Sequence, residues 1–316
     1  MRFVVSNGVG PSRPSKNERR SAAREKARQL REEQKKKDRR NRLILQGSLF
    51  VVVLAIVAAV ILVITSTMRP PAPGPHNMLS DGIKIGEGFH AVKTSALQPS
   101  AEPVPFPSNQ PSSVLDIRMY VDYMCPICGN FEKANADQIK KLVQDGAATV
   151  EIHPVAILDR ASMGTKYSTR AANSAACVAD LSPDNFFDYS ALLFVHQPKE
   201  NSPGLDDDTL IGLAKEAGVS KFTQVSSCIK DQTFKNWVAG ATDRFNSNPF
   251  PNVSTQPPQH GTPTIFVNGQ LYEYTFDQTT GAFDPAQFTA FLTKVLGANF
   301  SEESVPSPSP SPSPTN

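Results

Sequence analysis

Two cysteines separated by two residues are the part of this sequence best suited to chemistry. They stand in the run Cys125-Pro126-Ile127-Cys128, directly after a strand-like stretch and before a helix-forming one. A thiol is nucleophilic only as its thiolate, and the unpaired N–H groups of a helix N-terminus stabilise that charge. One helical turn separates the two sulfurs, which brings them within reach of a disulfide. The spacing therefore predicts Cys125 as the attacking sulfur of low pKa and Cys128 as its buried resolving partner.

Two other interpretations of the pair stay open at this point, a static disulfide and half of a zinc site. Zinc needs a second pair of ligands. The remaining cysteines, Cys177 and Cys228, are far apart in the sequence without such spacing, and the five histidines are scattered. We favour the redox-active interpretation and predict neither a metal nor a cofactor.

The elements that must position the cysteines alternate in a recognisable order. The pattern predicts short strands at Ile83 to Ile85 and Phe89 to Val92, then a strand at Val114 to Tyr123, a helix at Phe131 to Gln144 and a strand at Ala148 to Leu158. A helical block follows from Thr165 to about Asn246. A strand at Pro263 to Val267, an Asn268-Gly269 hairpin turn into Leu271-Tyr272 and a helix from Asp284 to Gly297 complete the order. We read this as an α/β domain with a helical insertion.

An apolar run separates a basic head from the rest of the chain. The chain has 316 residues and a net charge of +2, but residues 1–42 carry +10 and the remainder −8. No charged residue lies between Arg42 and Arg69, and Leu49 to Ile64 is unbroken apolar sequence. This length predicts a transmembrane helix at residues 43–68. Because Lys and Arg stay on the cytoplasmic side, we expect a single-pass protein of the cell membrane with a cytoplasmic N-terminus and an extracytoplasmic domain. A cleaved signal peptide is the alternative.

The remaining segments follow from composition. Residues 1–42 form the basic cytoplasmic segment, whose charges are not interleaved with aromatic residues as nucleic-acid binding would favour, so we predict no nucleic-acid partner. A Pro-rich linker follows at residues 69–80, and the folded domain at residues 81–300, with its insertion at about 160–247. Residues 95–113 predict a long surface loop within it. A disordered Pro/Ser tail ends the chain at residues 301–316.

The residues around the cysteine pair resemble a known family. Tyr120 to Gly129 (YVDYMCPICG) is similar to the active-site strand and turn of DsbA-like thiol–disulfide oxidoreductases of the thioredoxin superfamily. Gly261-Thr262-Pro263-Thr264 resembles the loop that faces the CxxC pair in that superfamily, and the helical insertion resembles the one that sets DsbA-like proteins apart. The resemblance covers about Asp81 to Gly297 and implies a thioredoxin-like fold.

The resemblance also implies roles. Pro263 would be cis, and Thr262 would offer its backbone to an extended substrate segment. The anchored arrangement is similar to actinobacterial members, whose substrates are reduced secreted proteins and whose reoxidant is a quinone-linked membrane protein of the VKOR-like or DsbB-like kind. The chain departs from the strongly oxidising members in having Pro-Ile between its cysteines where they have Pro-His.

Asp122 and the second cysteine pair complete the candidate residues. Met119 occupies the position, six before Cys125, that often holds a buried acid in the family, so Asp122 is the nearest carboxylate for proton transfer. A capping or exposed Asp at the strand end is the alternative. Outside the cytoplasm paired cysteines tend to be oxidised, which favours a structural Cys177–Cys228 disulfide over two separate buried thiols.

Three functions compete on these observations. The leading hypothesis is a dithiol oxidase that introduces disulfides into secreted proteins through Cys125 and Cys128. A reductase or isomerase would use the same chemistry, although residues 69–80 are too few for the dimerisation domain usual in such isomerases. A non-catalytic binding domain of thioredoxin fold is the third, and the intact cysteine pair argues against it.

Overall fold

The computed structural model describes residues 24–39, 47, 51, 53–58, 60, 72–107 and 113–303, the last of these with side chains as far as residue 297. The chain divides into two compact units, Met1–Pro70 and Pro71–Asn316. In the first unit residues 24–39 are helical and exposed. No helix among the described residues is long and apolar enough to cross a membrane. The predicted span at residues 43–68 lies for the most part outside the described residues.

A mixed five-stranded sheet forms the centre of the second unit. Its order is β1-β3-β2-β4-β5. The strands are β1 (Ile83–Ile85), β2 (Leu115–Val121), β3 (Ala148–Pro154), β4 (Thr264–Val267) and β5 (Gln270–Leu271). Strands β2 and β3 are parallel, and the other neighbours are antiparallel. The parallel pair is connected by helix α1 (Pro126–Gln144), so the sequence between the two cysteines lies in the first turn of the crossover helix.

Alternation along the strands divides the core. Ile117, Met119 and Val121 of β2 point into the main core, which α1 and the C-terminal helix α7 (Pro285–Glu303) also enter. Tyr120 points to the opposite face, where it packs with Phe250 and its neighbours. Successive side chains of a strand leave opposite faces, and both sets of β2 side chains are buried here. The sheet is therefore covered on both sides.

The helical insertion lies between β3 and β4 and consists of five helices. These are α2 (Tyr167–Leu181), α3 (Phe186–Val195), α4 (Asp207–Glu216), α5 (Phe222–Lys230) and α6 (Lys235–Ser247). The start of α4 is capped by the Asp206 carboxylate, which accepts the Thr209 amide at 2.8 Å. Helix α2 is fully buried along its alanine-rich side, and small side chains there let neighbouring helices approach closely. These helices occupy residues 167–247, within the stretch at about residues 160–247 where the sequence predicts an insertion.

The structure corrects three element boundaries. Residues Glu87–Phe89 form a 3₁₀ turn, and Ala91 makes only an isolated bridge to Ile85, so the predicted strand at Phe89 to Val92 is wrong. Helix α1 begins at Pro126 rather than Phe131, because proline suits the first helical position. The C-terminal helix continues past Gly297 to Glu303, since a glycine inside a helix weakens it without ending it.

The predicted linker is also corrected in part. Residues 72 and 73 are exposed, but most of residues 74–80 are buried against the domain. The Gly74 amide donates to the Leu97 carbonyl at 2.8 Å, and the Asn77 side chain donates to the Ala179 carbonyl of α2 at 2.8 Å. From residue 74 onwards the segment therefore belongs to the folded unit. The Pro-rich stretch at residues 95–107 has no regular secondary structure, and residues 108–112 are outside the described part.

Candidate functional site

The end of β2 and the start of α1 place the cysteine pair. Cys125 is the N-cap of α1 with extended backbone angles, φ −72° and ψ 114°, and Pro126 is the first helical residue. The Cys125 amide donates to the Asp122 carbonyl at 2.9 Å, and the Gly129 amide donates to the Cys125 carbonyl at 3.1 Å. Both sulfurs are free thiols, with Cys125 5% and Cys128 2% exposed.

The surroundings separate the two thiols electrostatically. A hydrogen bond with the Cys128 thiol lowers the pKa of Cys125 to about 7, which outweighs the effect of burial, and contacts with Thr262 and the Cys128 amide act in the same direction. Burial raises the pKa of Cys128 well above its ordinary value. At neutral pH a substantial fraction of Cys125 is therefore ionised while Cys128 stays protonated. Such a pair can attack, form a mixed disulfide and resolve it.

The loop before β4 lies against the sulfurs. The Thr262–Pro263 peptide bond is cis, and the Cys125 thiol donates to the Thr262 carbonyl at 3.2 Å. The Tyr274 hydroxyl donates to the Pro263 carbonyl at 3.0 Å and so helps to hold the loop. Burial raises the pKa of Tyr274 to about 12, with the charges of Cys128 and Cys125 adding to it. A groove of about 250 Å³ runs along this loop and β5.

Asp122 is fully buried beneath the cysteine turn. One carboxylate oxygen accepts the Met124 amide at 2.9 Å and the Ser168 hydroxyl of α2 at 2.7 Å, and the other accepts the Leu158 amide at 2.9 Å. Burial raises the pKa of Asp122 to about 6 despite these donors. The residue is thus a buried titratable group that also caps the turn. Of the alternative of a capping or exposed Asp, the capping part applies and the exposed part does not.

Cys177 and Cys228 are joined by a disulfide away from the CxxC pair. It connects α2 and α5 with a Cα–Cα distance of 5.8 Å, and both residues are buried. Because these two sulfurs are bonded to each other, they are not available as further ligands for a metal at Cys125 and Cys128.

The structure adds residues that the sequence did not single out. Gln197, from the segment after α3, donates through its side-chain nitrogen to the Cys125 carbonyl at 2.9 Å and to the Tyr123 carbonyl at 3.1 Å. Ser168 and Tyr274, described above, are the others. No local pattern marks any of the three, because each reaches the site from a distant part of the chain.

Comparison with known proteins agrees with this geometry. The sequence model of the thioredoxin family matches residues 110–285, which is more than half of the chain. The chain belongs to the thioredoxin family. The resemblance predicted from the sequence is therefore confirmed at the level of the family.

Two solved structures narrow the family assignment. The disulfide bond oxidoreductase DsbG of Mycobacterium tuberculosis has 31% sequence identity and a TM-score of 0.50, with 69% of this chain and 88% of that one covered. The oxidised DsbA of the same organism has 32% identity and a TM-score of 0.50, with coverage of 68% and 93%. The chain is a DsbA-like thiol–disulfide oxidoreductase of the thioredoxin superfamily.

A further relative shares only a segment. The serine/threonine-protein kinase PknE of Mycobacterium tuberculosis is 34% identical over 118 residues, which is 36% of this chain and 20% of that kinase. The similarity spans about a fifth of that protein, so it says nothing about kinase activity in this chain.

Proposed function

We propose that this DsbA-like protein is an extracytoplasmic dithiol oxidase that introduces disulfides into secreted proteins. The observation that carries the proposal is the asymmetry of the sulfur pair, in which the pKa of Cys125 is lowered to about 7 and that of Cys128 is raised. A stabilised Cys125 thiolate favours the reduced enzyme over its disulfide. The disulfide is for that reason more readily passed to a substrate than one formed from two unperturbed thiols.

The proposed reaction proceeds by two exchanges. A substrate thiolate attacks the Cys125 sulfur, the Cys125–Cys128 bond breaks, and Cys128 leaves and takes up a proton. The second substrate thiolate then attacks the substrate sulfur of the mixed disulfide, and Cys125 leaves as the stabilised thiolate. Two electrons pass from the substrate dithiol to the enzyme disulfide. One substrate proton is retained by Cys128, and the other goes to solvent.

The loop around the cis-proline is the proposed substrate site. Thr262 and Pro263 line the groove of about 250 Å³, and β4 directly follows them. The Thr262 carbonyl also accepts the Cys125 thiol. An extended substrate segment can lie along this loop with its cysteine next to the Cys125 sulfur. The Tyr274 hydroxyl, which holds the Pro263 carbonyl, keeps the loop at a fixed distance from the pair.

Asp122 is proposed as the proton-transfer group for Cys128. Its backbone contacts the Cys128 sulfur, and its carboxylate is close enough to raise the pKa of Cys125. With a pKa raised to about 6 by burial, Asp122 holds a proton in a fraction of molecules near neutral pH. It gives this proton to the Cys128 sulfur as the disulfide breaks and takes up one of the two substrate protons in its place. Such a match between pKa and working pH is what general acid–base catalysis requires.

Membrane anchoring and reoxidation belong to the same proposal. The apolar run at residues 43–68 and the +10 charge of residues 1–42 favour a single anchor with the catalytic domain outside. The Cys177–Cys228 disulfide supports an oxidising compartment, because such bonds persist mainly outside the cytoplasm. The reduced pair would then be reoxidised by a quinone-linked membrane protein of the VKOR-like or DsbB-like kind.

One observation favours a reductase as the second candidate. The pKa of Cys125 lowered to about 7 is close to the value near 7 typical of thioredoxin, whereas strongly oxidising DsbA has about 3.5. The Pro-Ile dipeptide fits this, since neither residue can place a positive charge beside the thiolate.

The direction of electron flow is tested with the purified protein. The oxidised form is mixed with a reduced, unfolded protein that needs disulfides for its activity, and the regain of activity is followed. The oxidase proposal predicts faster regain, together with a reduction potential above that of thioredoxin in glutathione buffers. A potential near about −270 mV, with acceleration of reduction only, would replace the oxidase by the reductase.

A further inference from the structure

The Gln197 side chain connects the helical insertion to the backbone of the cysteine turn. Gln197 follows the end of α3 at Val195, and its amide nitrogen donates to the carbonyls of Tyr123 and Cys125. Since the Cys125 carbonyl also accepts the Gly129 amide at 3.1 Å, this one oxygen is held from two directions. One donor belongs to the helix that carries the sulfurs, and the other belongs to the insertion.

Gly129 gives the Gln197 side chain its room. A Cβ atom at position 129 would lie 2.2 Å from the Gln197 Oε1 atom and 2.9 Å from its Cδ atom. Gly129 has an ordinary helical backbone, so its conformation does not require glycine, and glycine costs stability within a helix. The close approach of Gln197 supplies the physical reason for glycine at this position.

We infer that Gln197 is a positioning residue, through which the helical insertion holds the cysteine turn in the geometry that its thiolate chemistry needs. The donors that stabilise the Cys125 thiolate are the Cys128 side chain and amide and the Thr262 side chain. Each of these hydrogen bonds depends on the distance between its donor and the Cys125 sulfur. Fixing the Tyr123 and Cys125 carbonyls fixes the backbone from which that sulfur projects. The inference concerns the thiolate itself and does not depend on the direction of electron flow.

The first test removes the donor. In the reduced full-length protein, Gln197→Ala should raise the pKa of Cys125 by about half a unit to one unit, the size expected when loosening of the turn weakens one hydrogen bond to the thiolate. Gln197→Glu also removes the donor and adds a negative charge, so its shift should be larger. The pKa is read from the ultraviolet absorbance of the thiolate and from the pH dependence of alkylation of Cys125, with Cys128 protonated throughout.

The second test disturbs the contact from the other side. Gly129→Ala should displace Gln197 and raise the pKa of Cys125 in the wild-type background, although alanine is the better helix former. In the Gln197→Ala background the same substitution should have no effect, because the clash is gone; the interaction energy of this double-mutant cycle isolates the contact. Gly212→Ala is the matched control, a helical glycine of α4 with no atom within 4 Å of its added Cβ.

The pKa of Cys125 distinguishes a positioning role of Gln197 from a purely structural one. If Gln197 only stabilised the fold, Gln197→Ala would lower the thermal unfolding temperature and leave the pKa of Cys125 unchanged, which would overturn the inference. It would equally be overturned if Gly129→Ala shifted the pKa to the same extent with and without Gln197. The role of Gln197 is supported if Gln197→Ala shifts the pKa of Cys125 in a protein with unchanged circular dichroism and Gly129→Ala adds no further shift in the double variant.

Discussion

At the scale of single residues, the two sulfurs differ because their neighbours differ. Cys125 is at a helix start, with donors from Cys128 and the Thr262 side chain, whereas Cys128 is one turn inside the helix and 2% exposed. The two thiols therefore have different roles, Cys125 as the reactive sulfur and Cys128 as its resolving partner. The consequences can be tested one residue at a time.

Single-cysteine variants should separate these tasks. In Cys128→Ser, the Cys125 thiolate still attacks a disulfide of an oxidised substrate protein, and one substrate sulfur leaves as a thiolate. No neighbouring thiol then resolves the mixed disulfide, so substrate proteins should accumulate covalently on Cys125. Cys125→Ser should trap none and be inactive, because the remaining thiol is buried and protonated. Non-reducing electrophoresis of cell-envelope extracts measures the covalent trapping of substrate by each variant. Equal trapping by the two variants would contradict the assigned roles.

Asp122 should make stability depend on pH. Its folded-state pKa is raised to about 6 from an ordinary value near 4, so the folded chain holds this proton more tightly than the unfolded chain. Its contribution is thus fully present below about pH 4 and is lost as the pH rises through about 6, a loss of about 3 kcal/mol by pH 7.

The measurement is urea unfolding of the oxidised protein between pH 4 and pH 7. The wild type should lose stability over this range more steeply than Asp122→Asn, which does not titrate. In the wild type the Leu158 N–H donates to the Asp122 carboxylate, and in Asp122→Asn it faces the new amide group instead. The difference between the two slopes, rather than the absolute stability, is therefore compared. Parallel curves would show that Asp122 does not titrate in this range.

At the scale of elements, the helical insertion does more than cover the sheet. Ser168 at the start of α2 holds Asp122, Gln197 after α3 holds Cys125, and the Tyr123 hydroxyl shares a hydrogen bond with Ser190 of α3 at 3.1 Å. Three of the contacts around the cysteine turn thus come from the insertion. The geometry of the insertion must therefore be maintained for the turn to keep its shape.

The disulfide between α2 and α5 should contribute strongly to that maintenance. Removing it as Cys177→Ala/Cys228→Ala should lower the free energy of unfolding by about 4 kcal/mol, the chain-entropy value for closing a loop of this length; its two cysteines are 51 positions apart. Denaturant unfolding of the double variant measures this. In the wild type, mild reductant should open the Cys125–Cys128 pair alone. Mass mapping that finds Cys177 and Cys228 as free thiols under those conditions would contradict this.

At the scale of the whole molecule, charge and hydropathy divide the chain into a basic head and an acidic body. Residues 1–42 carry +10 and the rest −8, with the apolar run of residues 43–68 between charged flanks. Such a distribution favours one orientation across a membrane, because Lys and Arg near an apolar segment stay on the cytoplasmic side.

Reporter fusions test this orientation. A reporter active only outside the cytoplasm should be active when fused after Asn316 and inactive when fused before Met1. A reporter active only in the cytoplasm should give the opposite result. The control lacks residues 49–64 and should be released from the membrane fraction. Activity of the C-terminal fusion inside the cell would contradict the proposed location.

Much of the site could be predicted from local sequence. Asp122, Cys125 and Cys128 lie within seven consecutive residues, and the physical effects that define them, a strand end, a helix start and a proline at the first helical position, act over that distance. Thr262 and Pro263 required the family resemblance. The strand alternation of β2 and the Asn268-Gly269 turn, with both residues at positive φ, were also local signals.

What the sequence determined by itself was the cysteine pair, the order of elements and the contrast between head and body, because each depends on neighbouring residues. Only the tertiary structure decided which distant groups meet that pair. Gln197 is 72 positions from Cys125, Ser168 is 46 positions from Asp122, and Thr262 is 137 positions from Cys125. Burial likewise decided that the pKa of Asp122 is raised and that residues 74–80 are part of the domain. The physical reason is that burial and hydrogen bonding between distant segments depend on how the helices pack on the sheet, and no local pattern encodes that packing.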